Sequence, residues 1–466
     1  MFIVAQVPEL DKVERLGTIA NTVSGLKAPK QSGGGTGASV LSQEEVGRQA
    51  RLRRWELQNH AARLLPTDRV AACLRRQAYL AEQIEIRYRP DVQAAHYRGL
   101  QTCGSVWHCP ICAAKISERR REELAGLVEK HIAAGGSVWM TTYTIRHKRY
   151  DNLADLLQRF LEARRRVRQG RRGIAWRRDY QVIGTVSVLE VTWSKENGWH
   201  PHVHELVFSA AADFDPDAFD QAVRPLWREA ARSQGLKMNG HGFQVDRTYG
   251  AVADYIAKYG HEPAKEPWGV EAEMSKGHLK RGRAERHYTP FALLDAIADG
   301  HDRLAPRWQE YANVFKGRKQ LNYSPGLKAF YAEAETDDAE LAAQGETSEA
   351  LTLVQLLPWQ WGMVVEANVR GGLLELARLG NVGEIVAGLA EIGVEVEPCV
   401  TRGWWVATPA GPGEVLSVVL DAASHRWRCS VLLVAEEPGI AGRWRGYDLL
   451  EVQVVGGPAS SLAWVA

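Results

Sequence analysis

The sequence predicts an α+β protein built on a central antiparallel sheet flanked by helices. Three observations predict it. Residues 180–193 and 199–208 are strand-like runs joined by a turn that contains Asn197-Gly198. Residues 152–168 and 216–234 around them carry helix-period apolar residues. An acidic stretch over 333–349 lacks Lys and Arg and is followed by a fresh alternation of helix and strand signals.

At 466 residues, two or three folding units are expected. Hydrophobic residues make up 45% and charged residues 24%, ordinary values for a globular chain. The formal net charge of +2 hides an uneven distribution, because the middle is basic and the stretch after residue 332 is acidic. Residues 1–12 lack a basic segment followed by an apolar one, so no signal peptide is expected. No apolar run approaches about 18 residues, so no membrane span or membrane partner is expected. A cytoplasmic location follows as an expectation, and there clustered cysteines suggest metal rather than disulfides.

In chain order, residues 1–45 read as a disordered arm with a Gly-rich run over 32–37. Residues 46–134 read as a basic helical and zinc-binding region, with helices over 43–64 and 116–134. Residues 135–327 form the central unit, whose strands are expected over 137–145, 180–193, 199–208 and 242–247. Its helices are expected over 152–168, 216–234, 251–260, 291–298 and 308–314. Residues 328–350 read as an acidic linker, and 351–466 as a small α/β or α+β accessory domain with no recognisable motif.

Four of six cysteines lie in one stretch. Cys109 and Cys112 have the spacing of a metal knuckle, Cys103 lies six residues upstream, and Cys73 supplies a fourth sulfur, with His108 as the rival. Four thiolates form a closed, tetrahedral, structural Zn²⁺ site. Scattered buried thiols are the alternative.

Alternate residues of a strand share a face, so His200, His202 and His204 project to one side. Two imidazoles and a carboxylate can grip one divalent cation and leave positions open for phosphate oxygens and water. Glu190 on the preceding strand is the nearest carboxylate. Whether it faces the histidines depends on the turn length, since a one-residue slip reverses the face. A polar strand with a solvated carboxylate is the plain alternative.

Downstream, Tyr255 and Tyr259 are four apart and share a helix face, with Lys258 adjacent. A phenol, with a pKa near 10, is a weak nucleophile at neutral pH. A cation polarising the target phosphate offsets that weakness. Packing of an aromatic pair is the other reading. Eight arginines fall between Arg164 and Arg178, with Trp176 among them and no acid. Arg164, Arg165, Arg168, Arg171 and Arg172 suit a phosphate backbone, and Trp176 a stacked base. A solvated helix face is the alternative.

Taken together, His200-Pro201-His202-Val203-His204 and Tyr255-Ile256-Ala257-Lys258-Tyr259, about fifty residues apart, resemble the HUH endonucleases, and within them the rolling-circle plasmid replication initiators. The segments 103–116, 141–147, 289–294 and 317–321 agree, so the resemblance covers roughly residues 70–327. It implies His202 and His204 as ligands of Mg²⁺ or Mn²⁺, with the histidines on a middle strand, and Tyr259 as the nicking nucleophile. It implies origin DNA, duplex and single-stranded, as partner, with host helicase and polymerase recruited. Tyr255 stands where some single-tyrosine initiators carry Glu, as in two-tyrosine phage-type initiators, so a second transfer step or simple packing both stand. The rivals are a relaxase or transposase, a histidine-triad nucleotide hydrolase, which needs neither metal nor tyrosine helix, and a non-enzymatic zinc-containing DNA-binding regulator. No G-x-x-x-x-G-K-[ST] segment is present, so helicase activity is not expected.

Overall fold

The computed structural model describes residues 42–213, 215–246, 288–332, 336–343, 350–400, 404–409, 411–421, 426–433 and 444–456. Of the arm expected over 1–45, residues 1–41 lie outside the described residues, as does the tyrosine helix expected over 251–260, whereas 43–45 open the Gln43–Leu64 helix. The chain divides into two compact units. One joins residues 72–101 to the chain after 344, and the other joins 41–71 to 102–343.

The first unit opens with an antiparallel hairpin of β1 (Ile84–Arg89) and β2 (Ala94–Arg98), in which Gln93 takes a left-handed turn conformation.

The second unit holds β3 (Ser137–Thr144), β4 (Val182–Ser194), β5 (Gly198–Ser209), β6 (Phe243–Asp246) and β7 (Leu321–Tyr323). They form one sheet in the order β6-β3-β5-β4-β7, antiparallel throughout. The histidine strand β5 is therefore central, as the resemblance implies. Long strands form here because 182–194 and 198–209 are dominated by Val, Leu, Thr, Trp and Phe, which suit a half-buried pleated surface. One face of the sheet packs Val138, Met140, Val186, Val188, Leu206 and Phe208 against Leu124, Leu127 and Val128 of the Pro110–Ala133 helix. On the other face Tyr143 meets Trp227 edge-on at 5.3 Å, and Trp227 meets Phe160 at 5.7 Å. Those rings come from the Leu153–Val167 and Pro216–Ser233 helices.

Returning to the first unit, β8 (Leu351–Leu356) pairs with β1. β9 (Trp405–Thr408), β10 (Gly411–Asp421), β11 (Arg426–Leu433), β12 (Trp444–Asp448) and β13 (Gln453–Gly456) make a second five-stranded sheet. Buried Tyr97 donates to the Arg370 carbonyl at 2.7 Å, and buried Arg370 donates to the Leu74 carbonyl at 2.8 Å.

Two expected boundaries are corrected. Residues 46–134 are not one region, because the β1–β8 pairing ties 84–89 to the chain beyond 350. The stretch from 328 to 343 is not simply a linker. Lys328 is buried against Glu123, and Arg120 of the Pro110–Ala133 helix holds Asp338 at 2.8 Å. Asp338 thus answers a basic residue on that helix, and Lys328 an acidic one.

Candidate metal centre on the histidine strand

The connection between β4 and β5 fixes the site. Ser194 pairs with Gly198, leaving three residues between them. The Ser194 hydroxyl accepts from the Asn197 backbone N–H at 3.0 Å. Gly198 has φ +78, and a Cβ there would lie 2.5 Å from the Arg149 carbonyl oxygen, so glycine is required. From this turn the register runs back to set Glu190 directly opposite His202, and directly opposed residues share a face. The question that turn length left open is thereby answered.

The Glu190 carboxylate lies 2.8 Å from His202 Nε2 and 3.7 Å from His204 Nε2, through the same oxygen. One ligand atom from each of Glu190, His202 and His204 lies within 4.8 Å of the others, so the three could hold a metal ion. Cis ligands about 2.1 Å from an octahedral cation are about 3.0 Å apart, and the two measured spacings bracket that value. The side chains are 17%, 16% and 22% exposed, so a ligand can still reach them. Neighbouring groups orient the rings. Thr142 Oγ1 lies 2.9 Å from His204 Nδ1, which leaves Nε2 for the site. Burial works against the charged imidazole of His202, yet the hydrogen bond and negative charge of Glu190 hold its pKa above the ordinary histidine value.

His200 is on the same face but outside this group. Its Nε2 is 3.0 Å from Thr144 Oγ1, and its ring meets His147 at 4.7 Å. The sequence singled out His147 only within a longer matching segment. Its nearness to His200 arises from a β3 exit that period-two reasoning does not see. Along the same face of β5 the residues change from His200, His202 and His204 to Leu206 and Phe208, so the strand presents imidazoles at one end and core at the other.

The four cysteines Cys73, Cys103, Cys109 and Cys112 are buried, unbridged, and offer sulfurs within 4.8 Å of one another. Cys103 and Cys112 sulfurs are 3.7 Å apart, the edge of a tetrahedron with bonds of about 2.3 Å. His108, the rival ligand, is engaged elsewhere, with Nε2 at 2.8 Å from the Ala312 carbonyl and Nδ1 at 3.4 Å from Asp68.

The arginine run does not present a single face. Arg164 and Arg168 both contact Glu205, whose side chain is fully buried on the sheet face opposite the histidines. Arg165 pairs with Glu162 at 2.7 Å and Arg172 with Glu229 at 2.8 Å, while Arg171 is exposed. Trp176 is 3% exposed and packs on Phe219 at 5.6 Å, with its N–H donated to the Val167 carbonyl. A base cannot stack on it in this conformation. Helical periodicity explains the error, since the Gly170–Asp179 helix turns its one large ring into the core. Tyr255, Lys258 and Tyr259 lie outside the described residues.

A family model described as "Replication protein" matches residues 96–238, which include β3, β4 and β5. "Protein rep" of Streptomyces lividans is 29% identical over 341 residues, covering 57% of this chain and 73% of the relative. "Neomycin resistance protein" of Streptomyces cyanogenus is 30% identical over 143 residues, covering 26% of this chain and 33% of that protein. No solved structure matches. The matched span contains the histidine strand and its neighbours β3 and β4, so the similarity to replication proteins falls on the sheet that carries the candidate metal centre and supports a rolling-circle replication initiator.

Proposed function

We propose that the chain nicks one strand at a plasmid double-strand origin, through an HUH-type centre in which Glu190, His202 and His204 hold Mg²⁺ or Mn²⁺. The observation that supports this reading is the Glu190–His202–His204 group, open on one side of a central strand. Such a cation supplies neutralisation of a phosphate's charge and orientation of its oxygens. The chain's own residues do the rest. The Tyr259 phenol oxygen attacks the phosphorus of the scissile diester, with Lys258 beside it to favour the phenolate. The 3′ oxygen of the upstream nucleotide leaves and takes a proton, which gives a 3′-hydroxyl primer and a 5′-phosphotyrosyl adduct. One ester bond forms as one breaks, so its energy is kept for rejoining. Tyr255, four residues earlier in the sequence, accepts a second transfer. Cys73, Cys103, Cys109 and Cys112 hold Zn²⁺ as a closed structural site that does no chemistry. Arg171 and the other exposed arginines contact phosphates without reading sequence. Plasmid origin DNA is the substrate, with host helicase and polymerase acting on the product.

The test is incubation of the purified chain with supercoiled plasmid carrying its own origin, with and without Mg²⁺. Relaxed circles and a detergent-resistant protein–DNA band are expected only with the metal. Tyr259→Phe should abolish the adduct and leave origin binding intact. An adduct that persists in that variant reassigns the nucleophile. Cleavage of small nucleotides without metal would instead favour a histidine-triad hydrolase.

A further inference from the structure

On the sheet face opposite the histidines lies a pocket of about 670 Å³ between the end of the Leu153–Val167 helix and β7 with the loop before it. Its cationic lining is Arg164, Arg165, Arg168, Arg318 and Lys319, and no carboxylate lines it among the described residues. Behind that lining, Glu205 is fully buried and answers both Arg164 and Arg168. Two guanidiniums thus share a single carboxylate. Arg164 Nε is buried with no acceptor among the described residues, a donor in want of an oxygen. Burial first, and then the neighbouring charge of Arg164, push Arg168 down to about 10. A phosphate dianion relieves that crowding, and planar guanidiniums match its oxygens in pairs.

The remaining lining explains why the ligand is larger than a bare phosphate. Leu161, Leu189, Val203 and Pro325 offer apolar surface, and Tyr323 an aromatic ring. A volume in the ordinary range for small-ligand sites exceeds what one phosphate fills. A duplex is too wide to bring its backbone to Arg164, whose side chain is only 15% exposed.

We propose that this pocket binds the phosphates of a mononucleotide, with Arg164 and Arg168 at its base and Arg318 and Lys319 at its rim. It is separate from the nicking centre and does not depend on that reading.

The experiment is calorimetric titration of the full chain with pyrophosphate, a nucleoside diphosphate, and a single-stranded oligonucleotide of unrelated sequence. The diphosphate should bind more tightly than pyrophosphate. The exposed pair Arg318→Glu and Lys319→Glu, changed together, should weaken diphosphate binding at least tenfold, whereas His202→Ala with His204→Ala should leave it unchanged. Failure of both small phosphates to bind overturns the proposal, even if the oligonucleotide binds. So does binding that survives the rim change, or binding lost with the histidines, which would put the phosphate on the opposite face.

Discussion

Replacing Glu205 with Gln removes one negative charge and almost no volume, so the cost reads electrostatics rather than packing. Its side chain is fully buried, and those of Arg164 and Arg168 are 15% and 28% exposed. At about 4 Å and an effective dielectric near 20, each attraction is worth roughly 4 kcal/mol before desolvation is subtracted. Removing one partner of a buried ion pair typically costs about 3–5 kcal/mol, because the other charge is left buried. Two guanidiniums are stranded here, but both retain some water and glutamine keeps an acceptor oxygen. A loss of about 3 kcal/mol is expected for the unit that contains the sheet. Guanidinium titration followed by tryptophan fluorescence measures it. Adding Arg168→Met should recover part of the loss, giving a coupling of about 1 kcal/mol or more. A change below about 1 kcal/mol in Glu205→Gln, or strict additivity with Arg168→Met, would refute the claim that Glu205 holds the arginines inward.

Five further outcomes follow from the same geometry. Glu190→Ala should weaken Mn²⁺ binding at least tenfold by calorimetry while the fold's circular dichroism is kept. Thr142→Val removes the hydroxyl beside His204 Nδ1 and should cost about tenfold in metal affinity, since such supporting bonds fix the ring. Cys103→Ser should lower the zinc content measured by mass spectrometry from one equivalent towards none. Trp176→Ala should destabilise by about 3–5 kcal/mol, the range for emptying a buried aromatic site. Trp176→Phe should leave affinity for single-stranded DNA unchanged, and a large drop in that variant would restore the ring as a DNA contact.

Much of the sheet and helix content of the central unit was legible because it is encoded locally. The helix over Gln43–Leu64 and the strands around the Asn197-Gly198 turn follow from periodicity and from a residue that tolerates a positive φ. The histidines were legible because period two is a rule of strand geometry rather than of context. The failures are tertiary. Trp176 looks like a stacking platform in sequence because nothing local reports that Phe219 and the Val167 carbonyl enclose it. Residues 84–98 escaped notice because the partner of β1, besides β2, is some 270 positions away in β8. Arg164 and Arg168 were read as a surface stripe because Glu205, the residue that draws them in, sits on a different element.

Glu205 and Glu190 show how one strand pair separates two chemistries. His204 and Glu205 are neighbours in sequence, yet pleating sends their side chains to opposite faces. Glu190 sits opposite His202, whereas Glu205 sits opposite Ser187 and meets arginines from the helix layer. A one-residue slip in the turn at 195–197 would turn β5 over, parting Glu190 from the histidines and Glu205 from the arginines. The histidines would then face helix-borne guanidiniums, which repel a cation, and the arginines would face apolar core. The hydroxyl of Ser194 and the obligatory glycine at 198 guard against that slip. Inserting one residue between Lys195 and Asn197 should therefore abolish metal binding even though every ligand is still present. Intact Mn²⁺ affinity in that insertion variant would show that the register is set elsewhere, by the β3–β5 or β4–β7 pairing, and that the turn merely follows it.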